Sequence, residues 1–276
     1  MKPLTECHVL VTPTSYGRND ARLKSELESL VGKVTYNTTG KPLSSEQLQG
    51  FLPDVDGYIA GLDVIDSVAL NAAYHLKVIA RYGVGVSNVD LKAAGDLGIV
   101  VTITPGANSK SVAELTLGLV LNLVRPIIQA ATSTREGGWP RTQGFSLEGK
   151  TIGLIGLGTI GREVARRLVG FDCRILAYDV IVDRQFVNSF GVQMVDQDTL
   201  LKESDIVSLH LPSLPETRGM VDAAFLAKMK SGSYLINTAR GELIDEDALA
   251  EGLRSGHLRG AALDTFVDEP PKFGNP

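Results

Sequence analysis

The chain has 276 residues, enough for two domains of ordinary size, and 43% of them are apolar, which excludes an intrinsically disordered protein. Lys and Arg number 27 against 32 Asp and Glu, a formal net charge of −5 at pH 7. This mild acidity argues against nucleic acid or an anionic membrane as a partner, because both require clustered cations. The only cysteines, Cys7 and Cys173, have no metal-ligand spacing around them, so we expect neither a disulfide framework nor a metal site.

The N-terminus holds no long apolar stretch, and the most apolar run, residues 115–124, is too short to span a bilayer. We therefore expect an unexported, cytoplasmic protein.

Along the first hundred residues, short β-branched runs alternate with segments of helical period. The pattern predicts strands over residues 9–12, 34–36, 57–60, 78–80 and 99–102, with helices over 20–30, 45–52, 67–74 and 91–96. Such alternation is typical of βαβ units around a parallel sheet. We predict a first doubly wound α/β domain over residues 1–104.

Residues 109–135 are predicted to form one long helix, with Ser111 and Glu114 at capping-box spacing and a kink at Pro126. A second alternating series follows, with strands over 151–155, 174–178, 193–195, 206–209, 234–237 and 261–264. We predict a second doubly wound domain over residues 105–276 that includes the linking helix. The apolar surface of that helix exceeds what one domain contact needs, so we expect a homodimer formed through it.

A glycine pattern lies between the predicted strand 151–155 and a helix that continues through residue 168. Gly156 suits a tight turn, Gly158 a close approach of backbone to a pyrophosphate, and Gly161 close packing of helix on strand. Asp179 ends the next strand, 18 residues after Gly161, where an acid hydrogen-bonds the adenosine ribose and repels a 2′-phosphate. The pattern predicts NAD as the cofactor in preference to NADP.

Four further stretches are RYGVGVSNVD at 81–90, PGAN at 105–108 with VAEL at 112–115, HLP at 210–212 with PET at 215–217, and NTARG at 237–241. The last is followed by ALDTFVDEP at 262–270. With these motifs the chain resembles the D-isomer-specific 2-hydroxyacid dehydrogenases, most closely the phosphoglycerate dehydrogenase branch. The resemblance implies a flavodoxin-like substrate domain and a Rossmann NAD domain, with a small 2-hydroxy or 2-oxo acid held between them.

The resemblance also implies site residues. Arg240 would hold the substrate's carboxylate or carbonyl with its planar fork, and Glu269 would orient a catalytic histidine and raise the pKa of that histidine. Substrate contacts would come from Arg81, Gly83, Val84, Gly85 and Asn108, the three middle residues acting through backbone N–H groups. Cofactor contacts would come from Gly156, Gly158, Thr159, Ile160, Gly161, Asp179, His210, Leu211, Pro212, Thr217, Thr238, Ala239, Arg240 and Asp264.

In relatives the catalytic histidine lies in a Pro-His segment beyond the Glu-Pro pair, and this sequence stops at Pro276 without one. We therefore expect a fragment, whose first domain lacks its returning C-terminal segment and whose turnover is impaired. His210 is expected to line the cofactor crevice in a non-catalytic position. Three functions stay open: oxidation of 3-phosphoglycerate to 3-phosphohydroxypyruvate, favoured by Arg81 near the phosphate; reduction of hydroxypyruvate or glyoxylate; and a catalytically silent NAD-sensing module.

Overall fold

The computed structural model describes residues 2–272 and 274–275. The chain divides into two compact units, Met1–Asn108 and Ser109–Pro276. The division thus falls after residue 108 instead of residue 104, because the turn at residues 105–108, which precedes the linking helix, belongs with the first unit.

The first unit is built on a five-stranded sheet. Its strands are β1 (His8–Val11), β2 (Lys33–Tyr36), β3 (Gly57–Ala60), β4 (Val78–Arg81) and β5 (Val100–Thr102). All pairs are parallel and the order is β2-β1-β3-β4-β5, which confirms the predicted flavodoxin-like fold. Four helices accompany the sheet: α1 (Arg22–Leu30), α2 (Ser45–Phe51), α3 (Ser67–Leu70) and α4 (Leu91–Asp96). The α3 helix is shorter than predicted, a single turn capped by the Asp66 side chain.

The second unit is built on a six-stranded parallel sheet. Its strands are β6 (Thr151–Ile155), β7 (Arg174–Tyr178), β8 (Gln193–Met194), β9 (Ile206–Leu209), β10 (Ser233–Asn237) and β11 (Leu258–Leu263). The order β11-β10-β9-β6-β7-β8 is that of the Rossmann fold, as predicted, and it reverses direction between β9 and β6.

The described residues of this unit form seven helices. They are α5 (Ser109–Val124), α6 (Ile127–Arg135), α7 (Thr159–Leu168), α8 (Arg184–Phe190), α9 (Gln197–Glu203), α10 (Ala223–Lys228) and α11 (Glu246–Arg254). Short 3-10 turns cover Leu4–Glu6 in the first unit, and Val169–Phe171 and Gly241–Leu243 in the second. Every residue of β9 and of β10 is buried, as expected for central strands of a sheet that helices cover on both faces.

The predicted linking helix is two helices. α5 and α6 are bent by 65° at a break that contains Pro126, which lacks the N–H that a continuous helix would need. The predicted capping box was also wrong, because α5 begins at Ser109 and Ser111 therefore lies inside its first turn. Glu114 instead forms an ion pair with Arg167 on α7, at 3.1 Å. In the described part of the chain no single helix is long and apolar enough to cross a membrane; only the bent pair α5 and α6, taken together, has the length and composition.

Candidate functional site

The carboxyl ends of five parallel strands bring the predicted cofactor residues of the second unit to one edge of the sheet. Gly156 follows β6, Asp179 follows β7, His210 follows β9, Thr238 follows β10 and Asp264 follows β11. The first and third of these strands flank the point where the strand order reverses. Open α/β sheets bind their ligands in the crevice at this point.

The glycine loop has two closely packed glycines and one open one. Gly156 has a φ of +98°, a backbone conformation that favours glycine, and a Cβ there would lie 2.5 Å from the His210 carbonyl oxygen. A Cβ on Gly161 would lie 2.2 Å from the Gly156 oxygen. A Cβ on Gly158, directly before α7, would meet no heavy atom within 4 Å, and no described side chain caps the helix. The loop therefore leaves the N–H groups at the start of α7 accessible to a pyrophosphate, beside Thr159 and Ile160.

The carboxylate of Asp179 is fixed beside this loop. One oxygen accepts the N–H of Leu157 at 2.5 Å, and the other accepts the N–H of Ile181 at 2.9 Å. Each carboxylate oxygen has a second lone pair, so the group can also accept the hydroxyls of a ribose. Glycine loop and acid thus fit the adenosine half of NAD.

Arg162, which the sequence reasoning missed, connects the same two loops. Its Nε donates to the Leu157 carbonyl at 2.9 Å and its Nη1 donates to the Asp183 carboxylate at 2.7 Å. The guanidinium also lies over the Phe186 ring, 5.5 Å from the centroid. The only sequence signal for this role was the position of Arg162 directly after Gly161. That position does not predict its distant partner Asp183.

His210 is a neutral side chain. Its Nε2 lies 3.0 Å from the Ser208 hydroxyl, and its Nδ1 is buried without a partner among the described residues. Burial lowers the pKa of His210 to about 4, so the ring is a neutral imidazole at pH 7. Its predicted non-catalytic role is consistent with this environment.

The loop after β10 is held by Asn237, which is fully buried. The Asn237 side chain accepts the N–H of Ala239 at 3.0 Å and donates to the Arg240 carbonyl at 2.8 Å. The half-buried Arg240 donates from Nη1 to the Ala239 carbonyl at 2.6 Å. The Thr238 hydroxyl forms a hydrogen bond of 2.9 Å with the Thr116 hydroxyl on α5, so it already has a partner within the protein.

The loop after β11 packs on the loop after β10. A Cβ on Gly241 would lie 2.0 Å from the Phe266 carbonyl carbon, so only glycine permits this contact. Glu269, which is exposed, accepts the Phe266 N–H at 3.1 Å. Burial, and then the charge of Glu269, raise the pKa of Asp264. In the described part of the chain, Arg240 and Glu269 form no ion pair and no histidine hydrogen-bonds to Glu269.

The remaining cofactor residues lie after β9. Leu211 and Pro212 directly follow His210, and the Thr217 hydroxyl donates to the Pro212 carbonyl at 2.8 Å. The same hydroxyl accepts the N–H of Leu214 at 2.8 Å. These two hydrogen bonds close residues 212–217 into a compact turn at the crevice edge.

The predicted substrate residues lie in the first unit. Arg81, the last residue of β4, is buried and donates to the carbonyls of Ala60 (2.7 Å), Gly61 and Gly85 (2.9 Å). It thereby connects the loop after β3 to the loop that contains Gly83, Val84 and Gly85. The Gly83 carbonyl accepts both the N–H and the hydroxyl of Thr104 at 3.1 Å. Asn108, at the end of the unit, is exposed.

Comparisons with known proteins agree with this architecture. The sequence model of the D-isomer specific 2-hydroxyacid dehydrogenase NAD-binding domain matches residues 117–276. A hydroxypyruvate reductase of Thermotoga maritima is 41% identical over 256 residues, 92% of this chain and 83% of that protein. The human D-3-phosphoglycerate dehydrogenase is 43% identical over 233 residues, 83% of this chain and 44% of that protein. This chain therefore spans less than half the length of that dehydrogenase.

Among solved structures, the TT0316 protein of Thermus thermophilus has a TM-score of 0.85 at 38% identity, covering 97% of this chain and 84% of that one. The D-lactate dehydrogenase of Aquifex aeolicus, solved with NAD and lactic acid, has a TM-score of 0.81 at 31% identity. The match covers 95% of this chain and 78% of that one. NAD as the cofactor is thus confirmed at the level of the family. The chain belongs to the D-isomer-specific 2-hydroxyacid dehydrogenases, a family of NAD-dependent oxidoreductases.

Proposed function

We propose that this chain transfers a hydride between NAD and C2 of a small D-2-hydroxy acid or its 2-oxo acid. The observation that carries the proposal is the meeting of the glycine loop, Asp179 and Arg240 at one edge of the second sheet. A scaffold that only bound a nucleotide would need the first two and would have no use for a half-buried guanidinium beside them.

In this reaction NAD, when bound, accepts or supplies the hydride. Asp179 orients the adenosine ribose, and the start of α7 binds the pyrophosphate. Arg240 binds the substrate's carboxylate or carbonyl oxygen and stabilises the charge that develops there. The resemblance implies that Glu269 orients the imidazole of a catalytic histidine, which exchanges the proton of the substrate's hydroxyl group. His210 is not placed for this role, because its Nε2 lies 3.0 Å from the Ser208 hydroxyl and its Nδ1 is buried.

Two substrate classes have named relatives: a hydroxypyruvate reductase and several D-3-phosphoglycerate dehydrogenases. The phosphorylated substrate was favoured from the sequence because Arg81 adds a cation. Since the Arg81 guanidinium hydrogen-bonds to backbone carbonyls, this support is weaker than the sequence indicated. A homodimer and a cytoplasmic location stay predictions.

A turnover screen tests the proposal. NADH formation or consumption is followed with D-glycerate, 3-phospho-D-glycerate, D-lactate, hydroxypyruvate and glyoxylate, and NAD binding is measured separately by calorimetry. Turnover of at least one acid, lost in Arg240→Ala while NAD still binds, supports the proposal. NAD binding without turnover of any acid, and without binding of any acid to the NAD-loaded protein, supports the silent NAD-sensing module instead.

A further inference from the structure

A cavity of about 100 Å³ lies at the carboxyl edge of the first sheet. The residues that matter for its chemistry are Thr12, Thr14, Gly61, Leu62, Arg81 and Tyr82. Thr12 follows β1 and Gly61 follows β3, and the strand order of this sheet reverses at these two strands, where such sheets bind ligands. Tyr82 directly precedes Gly83, and a Cβ on Gly83 would lie 3.9 Å from Nη2 of Arg81, so the cavity adjoins the loop Gly83–Gly85, where the resemblance implies that the substrate's carboxylate binds.

Arg81 is the only cation among the described residues that line this cavity. Three donor contacts of its guanidinium go to backbone carbonyls, two of them at the carboxyl end of β3. A guanidinium held in this way acts as a brace between two loops and cannot offer its planar fork to a phosphate without breaking those contacts.

A carboxylate lies directly behind the cavity wall. Asp63 is fully buried, and a Cβ on Gly61 would lie 3.5 Å from its Oδ2. Four donors converge on its two oxygens, the pattern that satisfies a carboxylate: the hydroxyls of Thr12 and Tyr58 (2.8 Å) and the N–H groups of Gly61 (3.1 Å) and Leu43 (2.7 Å).

The hydroxyls in this network remain donors. Burial, and then the charge of Asp63, raise the pKa of Tyr58, so its hydroxyl keeps its proton. The Thr12 hydroxyl donates to Asp63 and accepts the Gly61 N–H at 3.0 Å. The negative charge of Asp63 therefore offsets the positive charge of Arg81, and the cavity has no surplus of positive charge.

We propose that this cavity receives the C3 group of the substrate and selects an uncharged hydroxymethyl group over a phosphate. The inference rests on the proposed function and narrows it to unphosphorylated acids of the glycerate and hydroxypyruvate type. A phosphate brings nearly two negative charges at neutral pH, and here it would lie near the buried carboxylate of Asp63 behind the wall, with no uncommitted cation among the described lining residues. A hydroxymethyl group needs only a hydroxyl partner, which the exposed Thr14 at the rim provides.

Binding, measured by calorimetry on the protein saturated with NAD, tests the proposal without requiring turnover. D-glycerate should bind at least tenfold more tightly than 3-phospho-D-glycerate. Leu62 lines the cavity and is 68% exposed, so it tolerates a polar replacement. Leu62→Arg should narrow or reverse the preference for D-glycerate over 3-phospho-D-glycerate, because it supplies the missing cation. The control Leu62→Gln should leave this preference unchanged.

The outcomes separate the two claims. Tighter binding of 3-phospho-D-glycerate by the wild-type protein would overturn this inference and leave the proposed function intact. Equal preferences for D-glycerate over 3-phospho-D-glycerate in Leu62→Arg and Leu62→Gln would also overturn this inference and leave the proposed function intact. Failure of both acids and of their 2-oxo forms to bind, with NAD bound, would overturn the proposed function and this inference with it.

Discussion

Replacing Gly158 with alanine should weaken NAD binding without destabilising the fold, whereas Gly161→Ala should do both. The difference follows from what a new Cβ would meet. At Gly161 it would lie 2.2 Å from the Gly156 carbonyl oxygen, and reaching an ordinary contact of at least 3.4 Å requires a displacement of about 1.2 Å between α7 and the glycine loop. At Gly158 it would meet no heavy atom within 4 Å.

The magnitudes follow from this geometry. Overpacking of this kind costs about 1–3 kcal/mol, so the Tm of Gly161→Ala should fall by roughly 2–4 °C for each kcal/mol lost. Gly158 has a φ of −70°, which alanine adopts readily, so Gly158→Ala should gain about 0.4–1 kcal/mol of stability. Losing one hydrogen bond to the charged pyrophosphate costs about 1.5–3 kcal/mol, a rise in the Kd of NAD of about tenfold or more.

Calorimetric titration with NAD and thermal unfolding of the same samples check both variants. Gly170→Ala is the matched control, because Gly170 also has open space around it and lies at the opposite end of α7. A wild-type Kd for Gly158→Ala would refute the assignment of this loop to the pyrophosphate, and a wild-type Tm for Gly161→Ala would refute the packing argument at Gly161.

Four further predictions concern selectivity, assembly, pH and substrate binding. Asp179→Ala should narrow the preference for NAD over NADP, measured by fluorescence titration, because it removes both a ribose hydrogen bond and a repulsive charge. Ile128→Asp, at a side chain 65% exposed on α6, should convert a dimer into a monomer by light scattering; a wild-type protein that is already monomeric at micromolar concentration would contradict the dimer. Burial disfavours the protonated form of His210 in the folded protein. The free energy of unfolding should therefore keep its full value with respect to this residue above pH 6.5 and fall by about 3 kcal/mol as the pH drops to about 4. Urea unfolding of His210→Gln should lack this loss, and an equal loss in both proteins would contradict it. Arg240→Lys should lower kcat/KM by about a hundredfold or more at an unchanged Kd for NADH, because a point charge cannot replace a bidentate fork.

Local sequence patterns predicted the strands well, because each strand is a short apolar run between turn residues. Since parallel strands have their carboxyl ends at one edge of a sheet, the strand prediction also placed Gly156, Asp179 and Asp264 at the same edge. Gly156 has the turn conformation, Gly161 the close packing and Gly158 the open side that their spacing indicated.

Contacts between distant segments could not be predicted in the same way. Arg81 was expected to face a ligand, and only the folded unit shows its donors on the carbonyls of Ala60 and Gly61. Asp63 could not be identified from the sequence, because a single acid after a strand has no local signature and its donors come from four separate positions. Pro126 was expected to kink one helix, but the 65° break makes two.

The most direct test of hydride transfer follows a label. The protein is incubated with hydroxypyruvate and NADH carrying deuterium in both positions at C4 of the nicotinamide, and the product is analysed by mass spectrometry and chiral chromatography. We expect D-glycerate with one deuterium at C2, formed by the wild-type chain and strongly reduced with Arg240→Lys. Glycerate without deuterium at C2, or the L isomer, would contradict hydride transfer to a D-2-hydroxy acid.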